Sequence, residues 1–356
     1  MLGWSGTMGQ RIVRLLLEHV EGVQVIGASR HTDPHQLFPT RFINLTDATS
    51  FDAALNGIDV LIHAAGPFNH DPTALVHACI ERNIHYIDIA ESLDFIRNVQ
   101  RAVASARACS VAIVSGCSTV PGFAACLSQR FSHLDPVARI HVMLNMGSNN
   151  PLTQGLCFGL LRPLGGPSTE LSTRWFRRLT HTTHLDGQVR HYGNYPIPFE
   201  QNMTVGTRSI PVSFDVGFDR LVINYALFMA SFLMPMLSDK QLHALCRLAV
   251  RCGGALSLIG KTEGRFTLVA RDQHDRALES VEVIAAKNGL DIPAITTVWA
   301  VEKLLESNGE TSGFMGLEAL LDSKNLERKL AALPDVRVCA STHDDNRAKW
   351  RAEVPG

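Results

Sequence analysis

Glycine stands at every third position of Gly3-Trp4-Ser5-Gly6-Thr7-Met8-Gly9, which runs directly into Gln10-Arg11-Ile12-Val13-Arg14-Leu15-Leu16-Leu17. This is what a backbone needs to pass close under a pyrophosphate. Glycine permits the tight turn and the close approach, and the N-terminus of the following helix offers unpaired N–H groups and a partial positive charge. Gly3, Ser5, Gly6, Thr7, Met8 and Gly9 are therefore the first candidate phosphate-binding residues. The spacing G-x-x-G-x-x-G differs from the commoner G-x-G-x-x-G, and a glycine-rich turn before an ordinary helix fits it as well.

The next candidates lie where a nucleotide on that turn would extend. The run Val23-Gln24-Val25-Ile26-Gly27-Ala28 ends in Ser29-Arg30, with no carboxylate before Asp33. A dinucleotide site selecting NAD places Asp or Glu there for the ribose hydroxyls. A hydroxyl beside a guanidinium suits a 2′-phosphate instead, so NADP(H) is favoured over NAD(H). Asp47 follows the next apolar run, as an acceptor for the adenine amino group or as a turn or helix-capping residue. Ala64-Ala65-Gly66-Pro67-Phe68 closes the strand Asp59 to Ala64; small residues there let a nicotinamide ribose lie on the backbone. Asp88 and Glu91 end the following strand, facing the same crevice or serving as a turn acceptor and a residue of a helix first turn. Cys117 and Ser118, in Gly116-Cys117-Ser118-Thr119-Val120-Pro121-Gly122, complete the candidates on the substrate side. No His or Asn sits at a telling distance from Cys117, which favours packing over a nucleophilic role.

Other chemistries are excluded or set aside. A Tyr–Lys proton relay with a four-residue step is absent, because Tyr86, Tyr192, Tyr195 and Tyr225 are followed at that step by Ala90, Pro196, Phe199 and Met229. His181, His184 and His191 invite a metal reading, but the hairpin expected there puts His184 and His191 on one face and His181 on the other. Two histidines without a third ligand make a poor zinc site, so no metal is expected. Leu221 to Leu237 is apolar enough to suggest a membrane, yet it is short for a span and Asn224, Ser231 and Pro235 interrupt it. A core helix or a subunit interface is the expectation, with interfacial membrane contact as the minority reading.

These residues need elements to hold them. Strand and helix alternate through residue 114, with nearly continuous apolar strands, as in a parallel sheet covered on both faces. Only Met1 and Leu2 precede the glycine turn, where a buried strand should stand. From about residue 135 the pattern changes to strands and hairpins, with turns at Asp186-Gly187 and Asp272 to Asp275, and helices between them. The fold class is α/β: a doubly wound parallel-sheet (Rossmann) domain with its first strand truncated, and a second α+β domain of mixed and antiparallel sheet. The expected division is 1–125 for dinucleotide binding and 126–290 for substrate and dimerisation. Helices in 291–338 would then pack back on the first domain, leaving 339–356 as a polar tail. The chain has 356 residues, 46% of them apolar, enough for a large core. Its net charge of −1 gives no global field toward nucleic acid. The eight cysteines show no C-x-x-C and read as reduced thiols of a cytoplasmic protein.

With those residues in place the chain resembles the saccharopine dehydrogenase-like oxidoreductases. The likeness rests on the glycine turn, Asp59 to Phe68, His85-Tyr86-Ile87-Asp88, Gly116 to Gly122, and Ile292-Pro293-Ala294 before a late helix. It is strong over residues 3–125 and looser beyond, and Ala90 stands where the family commonly has glycine before Glu91. The resemblance implies an NAD(P)-binding domain, an inserted α+β substrate domain and often a dimer. It also implies hydride transfer to a C=N or C=C/C=O bond of a small-molecule substrate. A non-catalytic NADP-binding sensor or scaffold, and a membrane-peripheral protein, are the rival readings.

Overall fold

The computed structural model describes residues 1–31, 38–150, 152–166, 174–196, 202–256, 260–307 and 311–342. Asp33 and the last residues of the expected tail, from 343 on, lie outside them. The chain opens with α1 (Thr7–His19), β1 (Gly27–Ser29), β2 (Thr40–Phe42), α2 (Phe51–Leu55), β3 (Val60–His63) and α3 (Thr73–Glu81). It continues with β4 (His85–Asp88), α4 (Leu93–Ser105), β5 (Ala112–Val114) and α5 (Ala124–Ser128). Next come β6 (Arg139–Met146), α6 (Gln154–Leu161), β7 (Leu179–Thr183), β8 (Val189–Asn194), β9 (Asn202–Val205) and β10 (Arg208–Phe218). Then follow α7 (Leu221–Leu233), α8 (Asp239–Leu256), β11 (Gly264–Arg271) and β12 (Ala277–Ala285). Last are α9 (Asp291–Glu306), β13 (Gly313–Met315), α10 (Ser323–Ala331) and β14 (Val336–Thr342).

Two compact units result. One gathers Met1–Gln129 with Leu290–Leu326, the other Arg130–Ile197, Gln201–Gly289 and the residues after Leu326. In the first unit all strand pairs are parallel: β1 with β2, β3 with β4, β4 with β5, and β5 with β13. The place between β1 and β3 is held by two residues. Leu2 donates to the Ile62 carbonyl at 2.8 Å and accepts from Ala64 N at 2.9 Å, while Ala28 N donates to Met1 O at 2.9 Å. The short opening thus carries the sheet across its centre on a few bonds. Leu2, Ala28, Leu61, Tyr86 and Ile113 from the strands pack in one cluster with Phe51, Val76, Cys79, Phe95 and Val99 from α2, α3 and α4. α1 packs along α9, and Asp291 at the start of α9 pairs with Arg11 and, at 2.6 Å, with Arg14. That attraction adds to the dipole preference for acid in a first helical turn.

The second unit holds an eight-stranded sheet, in the order β14-β12-β11-β6-β10-β8-β7 with β9 off that path on β10. Among the described residues of this sheet, β10 and β6 are the one parallel pair. Cys339 to Thr342, expected in the polar tail, continue β14 along β12, with Cys339 opposite Glu282. The β7–β8 hairpin corrects the expected histidine faces. His181 pairs directly with His191, and His184 lies past the strand end, its N–H donating to Gln188 O at 3.0 Å. The loop is one residue longer than an Asp186-Gly187 two-residue turn, with Gly187 at φ +78°. A one-residue slip moves every side chain to the opposite face. No group of three metal-ligating side chains occurs among the described residues.

Candidate nucleotide site at the strand ends

The glycine turn is shaped by contacts that only glycine allows. Gly3 has φ +79°, and a Cβ there would stand 2.6 Å from Ala65 N and 2.7 Å from the Ala64 carbonyl carbon. The turn therefore lies directly on the Ala64-Ala65 backbone, and two of the expected binding stretches meet. A Cβ on Gly9 would overlap the Gly3 carbonyl oxygen and reach Trp4 Cα at 2.8 Å. Gly6 caps α1 without a side-chain hydrogen bond, and no acidic residue occupies the first helical turn. Ser5 and Gly6 are exposed, with Thr7 and Met8 partly so. This is a cradle with open N–H groups and no competing anion, and it fits a pyrophosphate.

The neighbouring strand ends carry the other expected residues. Ser29, at the end of β1, donates to His31 O at 2.5 Å, and Arg30 beside it is exposed. Asp47 is exposed and accepts from Thr49 N at 3.1 Å and Thr49 Oγ1 at 2.6 Å, which caps the turn before α2. After β3, Gly66 and Pro67 are exposed, while the Phe68 ring packs edge-on against His63 and Phe95.

Asp88 and Cys117, both candidates for the substrate side, are enclosed, which agrees with the turn-acceptor reading of Asp88 and the packing reading of Cys117. Asp88 is fully buried and accepts from Ala90 N (3.0 Å), Gly116 N (2.9 Å) and Ser115 Oγ (2.6 Å). Burial pushes its carboxyl up against those bonds and one from Tyr86. The carboxylate ties the end of β4 to the 116–122 loop, so its work is positioning. Cys117 is also fully buried, and burial next to Asp88 pushes the thiol far up; a neutral thiol of this kind is a poor nucleophile. Ser118 is buried and donates to Val120 O at 3.1 Å.

Glu91 differs. It precedes Ser92, whose hydroxyl caps α4, and keeps exposed surface. Desolvation nevertheless pushes its carboxyl up to about 7 despite a hydrogen bond from Ser118. A carboxyl titrating at about 7 when folded and at 4.5 ordinarily makes the folded chain bind more protons between those values. Stability therefore falls as pH rises through that window and is level above it. Glu91→Gln is expected to flatten the slope in denaturant melts taken across the window; an unchanged slope would mean an ordinarily solvated group.

Sequence reading missed the buried aromatic group behind the β3 end. The His63 Nδ1 lies 3.0 Å from Tyr86 OH, and its ring stacks at an angle near His70 and Phe95. Burial, with His70 beside it, pushes His63 down to about 3, so the ring is neutral. Thr297 of α9 was missed as well; its hydroxyl donates to Cys117 O at 3.1 Å. His63 ends an apolar strand and its spacing to Tyr86 spans a helix, so no local pattern marks the pair.

A parallel sheet with a glycine turn at the carboxyl ends of its strands defines a doubly wound, dinucleotide-binding type of fold. Residues 1–114 match the saccharopine dehydrogenase NADP binding domain. The apo saccharopine dehydrogenase (L-Glu forming) of Saccharomyces cerevisiae is similar in structure, with a TM-score of 0.59 and 12% identity over 96% of this chain and 98% of that one. An amine dehydrogenase from Mycobacterium smegmatis aligns with a TM-score of 0.44 and 8% identity, covering 89% of this chain and 94% of that one. No curated protein matches by sequence. Over residues 1–114 the chain is thus similar to the saccharopine dehydrogenase NADP binding domain, and over its length it shares the fold of that dehydrogenase.

Proposed function

We propose that the protein is an NADP(H)-dependent reductase acting on a C=N or C=C/C=O bond of a small apolar substrate. The observation that carries the cofactor choice is Arg30, exposed past the end of β1 where a carboxylate would select NAD. Gly3 to Gly9 would hold the pyrophosphate, Ser29 and Arg30 the 2′-phosphate, Asp47 the adenine, and Ala64 to Phe68 the nicotinamide ribose. The cofactor supplies the hydride; the chain's part is to orient it, exclude water and hold a proton nearby. Glu91, with its carboxyl near half-protonated at neutral pH, is the group on this edge suited to that last task.

The apolar substrate is favoured by what the arginines do. A carboxylate-rich substrate needs guanidinium clamps, but Arg162 pairs with Asp239, Arg190 with Glu263 and Arg208 with Asp135. Arg174 donates to Gly165 O, and Arg177 lies over Phe232. A homodimer and a cytoplasmic location belong to the same reading. The second is supported by the cysteines, each unpaired among the described residues.

Titration of NADPH and NADH, read by quenching of tryptophan fluorescence, tests the assignment. Arg30→Ala is expected to weaken NADPH by roughly ten- to hundredfold, the worth of one charged contact, and to leave NADH unchanged. Equal affinity for the two cofactors in the unaltered protein would overturn the NADP choice. Tight binding without turnover on imine and enoyl panels would favour the sensor reading.

A further inference from the structure

Helix α7 is turned inside out. Its buried face carries Asn224 and Ser231 beside Leu227. Asn224 bonds the Phe218 N–H at 2.9 Å and the Phe218 carbonyl at 3.0 Å, and Ser231 donates to Phe228 O at 2.6 Å. The solvent face carries Val222, Tyr225, Met229, Phe232 and Leu233, continued by Met236, all between 45% and 80% exposed. With 3.6 residues per turn these side chains fall within an arc of about 100°. An isolated exposed apolar residue is ordinary, but a contiguous stripe this large marks a contact surface.

The charge around the stripe chooses what contacts it. The Arg177 guanidinium lies 4.1 Å from the centre of the Phe232 ring. Arg220 stands at the N-cap of α7, where Asp219 pairs with it at 3.6 Å. In α8, Lys240, Arg247 and Arg251 recur at steps of seven and four residues, which places them on one exposed stripe. Among the described residues of α6, α7 and α8 the single carboxylate is Asp239, paired with Arg162 at 2.9 Å. Leu227 of α7 and Leu242 and Cys246 of α8 pack in one buried cluster, so the apolar stripe and these cations stand on neighbouring helices of a chain whose net charge is −1.

We propose that α7 and α8 form a site for a bilayer surface bearing anionic headgroups. The α7 stripe enters the boundary between headgroups and acyl chains, and Arg177, Arg247, Arg251 and Lys240 meet the lipid phosphates. No helix among the described residues is long and apolar enough to cross a membrane, and α7 has 13 residues, so it lies on the surface rather than through it. A second copy of the chain is the poorer occupant, because two such faces would bring like charges together.

Flotation of the full chain with vesicles tests this without using the cofactor. It is expected to float with phosphatidylcholine vesicles containing phosphatidylserine, weakly with phosphatidylcholine alone, and less as salt rises. Met229→Gln with Phe232→Gln is expected to lower partitioning roughly a hundredfold, about tenfold for each buried apolar side chain. Arg247→Gln with Arg251→Gln is expected to lower it roughly tenfold or more, and only on the anionic vesicles. Unaltered circular dichroism and melting in both double variants would show that the fold is kept. Absence of binding to anionic vesicles overturns the proposal, as does binding indifferent to both pairs. So does a loss of self-association in the Met229/Phe232 variant, seen by light scattering, without any vesicle binding in the unaltered chain.

Discussion

Gly9→Ala is expected to lose both stability and cofactor, whereas Gly6→Ala loses cofactor alone. In a helix interior alanine ordinarily gains about 1 kcal/mol over glycine. At position 9 that gain is overwhelmed, because the added methyl would overlap the Gly3 carbonyl and stand 2.8 Å from its carbon and from Trp4 Cα. All three atoms are backbone, so no side chain can rotate away, and the turn itself must open. Overpacking of this kind costs about 1–3 kcal/mol and more when the neighbour is rigid; a net loss of about 3 kcal/mol is expected in denaturant melts. Since the turn that opens is the proposed phosphate cradle, NADPH binding is expected to fall by at least roughly a hundredfold, the equivalent of two charged hydrogen bonds. Gly6 is the control. Its φ of −75° and ψ of 166° suit any residue, and a Cβ meets only Gly3 O at 3.4 Å. The melt should be unchanged, but the methyl sits on the exposed rim at the α1 N-cap. There it displaces a phosphate oxygen from one or two N–H groups, a loss of roughly ten- to hundredfold. If Gly6→Ala binds NADPH as the unaltered chain does, the pyrophosphate does not rest on this turn.

What could be read in the sequence followed from how local its cause is. The glycine turn, the apolar strands of the first unit and the Asp272–Asp275 hairpin each announce themselves within a dozen residues. β10 does not. Ile210, Val212, Phe214, Val216 and Phe218 alternate as a strand should, but Pro211 argues against one. The structure places Pro211 opposite Asn202 of β9, and pairing with β6 begins only at Val212, so the missing N–H falls outside that ladder. The site shows the same division. Residues whose backbone does the work, such as Gly3 and Gly9, were visible because glycine at fixed spacing is itself a signal. Asp88 was visible as an acid but not as a buried one. Its partners Gly116 N and Ser115 are brought to it by β4 and β5 lying side by side, which no spacing encodes. Glu91, three residues away, looks identical in type and differs only in keeping contact with solvent.

The largest loss of stability is expected at Glu282, in the second unit. Its Oε1 lies 2.7 Å from His184 Nδ1 and accepts from Leu185 N at 3.3 Å, and its Oε2 accepts from Arg265 Nη1 at 3.0 Å. His184 in turn lies 2.7 Å from Tyr192 OH, so one carboxylate joins the β7–β8 hairpin to β11 and β12. Arg265 is 1% exposed and its other contacts are Asp186 at 2.5 Å and Glu263 at 3.4 Å. Burial alone would push the Asp186 carboxyl up, but the bond from Arg265 holds it below the usual carboxylate range. Removing Glu282 leaves a guanidinium underpaired in a place water does not reach, and breaking a buried pair from one side costs about 3–5 kcal/mol. Glu282→Leu is expected to lower stability by that amount in denaturant melts. Arg265→Met in the same chain removes the stranded charge, so the double variant should be more stable than the sum of the single losses, and can exceed Glu282→Leu itself. Because the Asp186–Arg265 bond remains in Glu282→Leu, that variant should keep the acid sensitivity Asp186 confers: stability lost as pH falls through its lowered pKa, and present above its ordinary one. A Glu282→Leu chain as stable as the unaltered one would mean that Asp186 and Glu263 neutralise Arg265 unaided. Additive losses in the double variant would mean that Arg265 and Glu282 stabilise the sheet separately rather than as a pair.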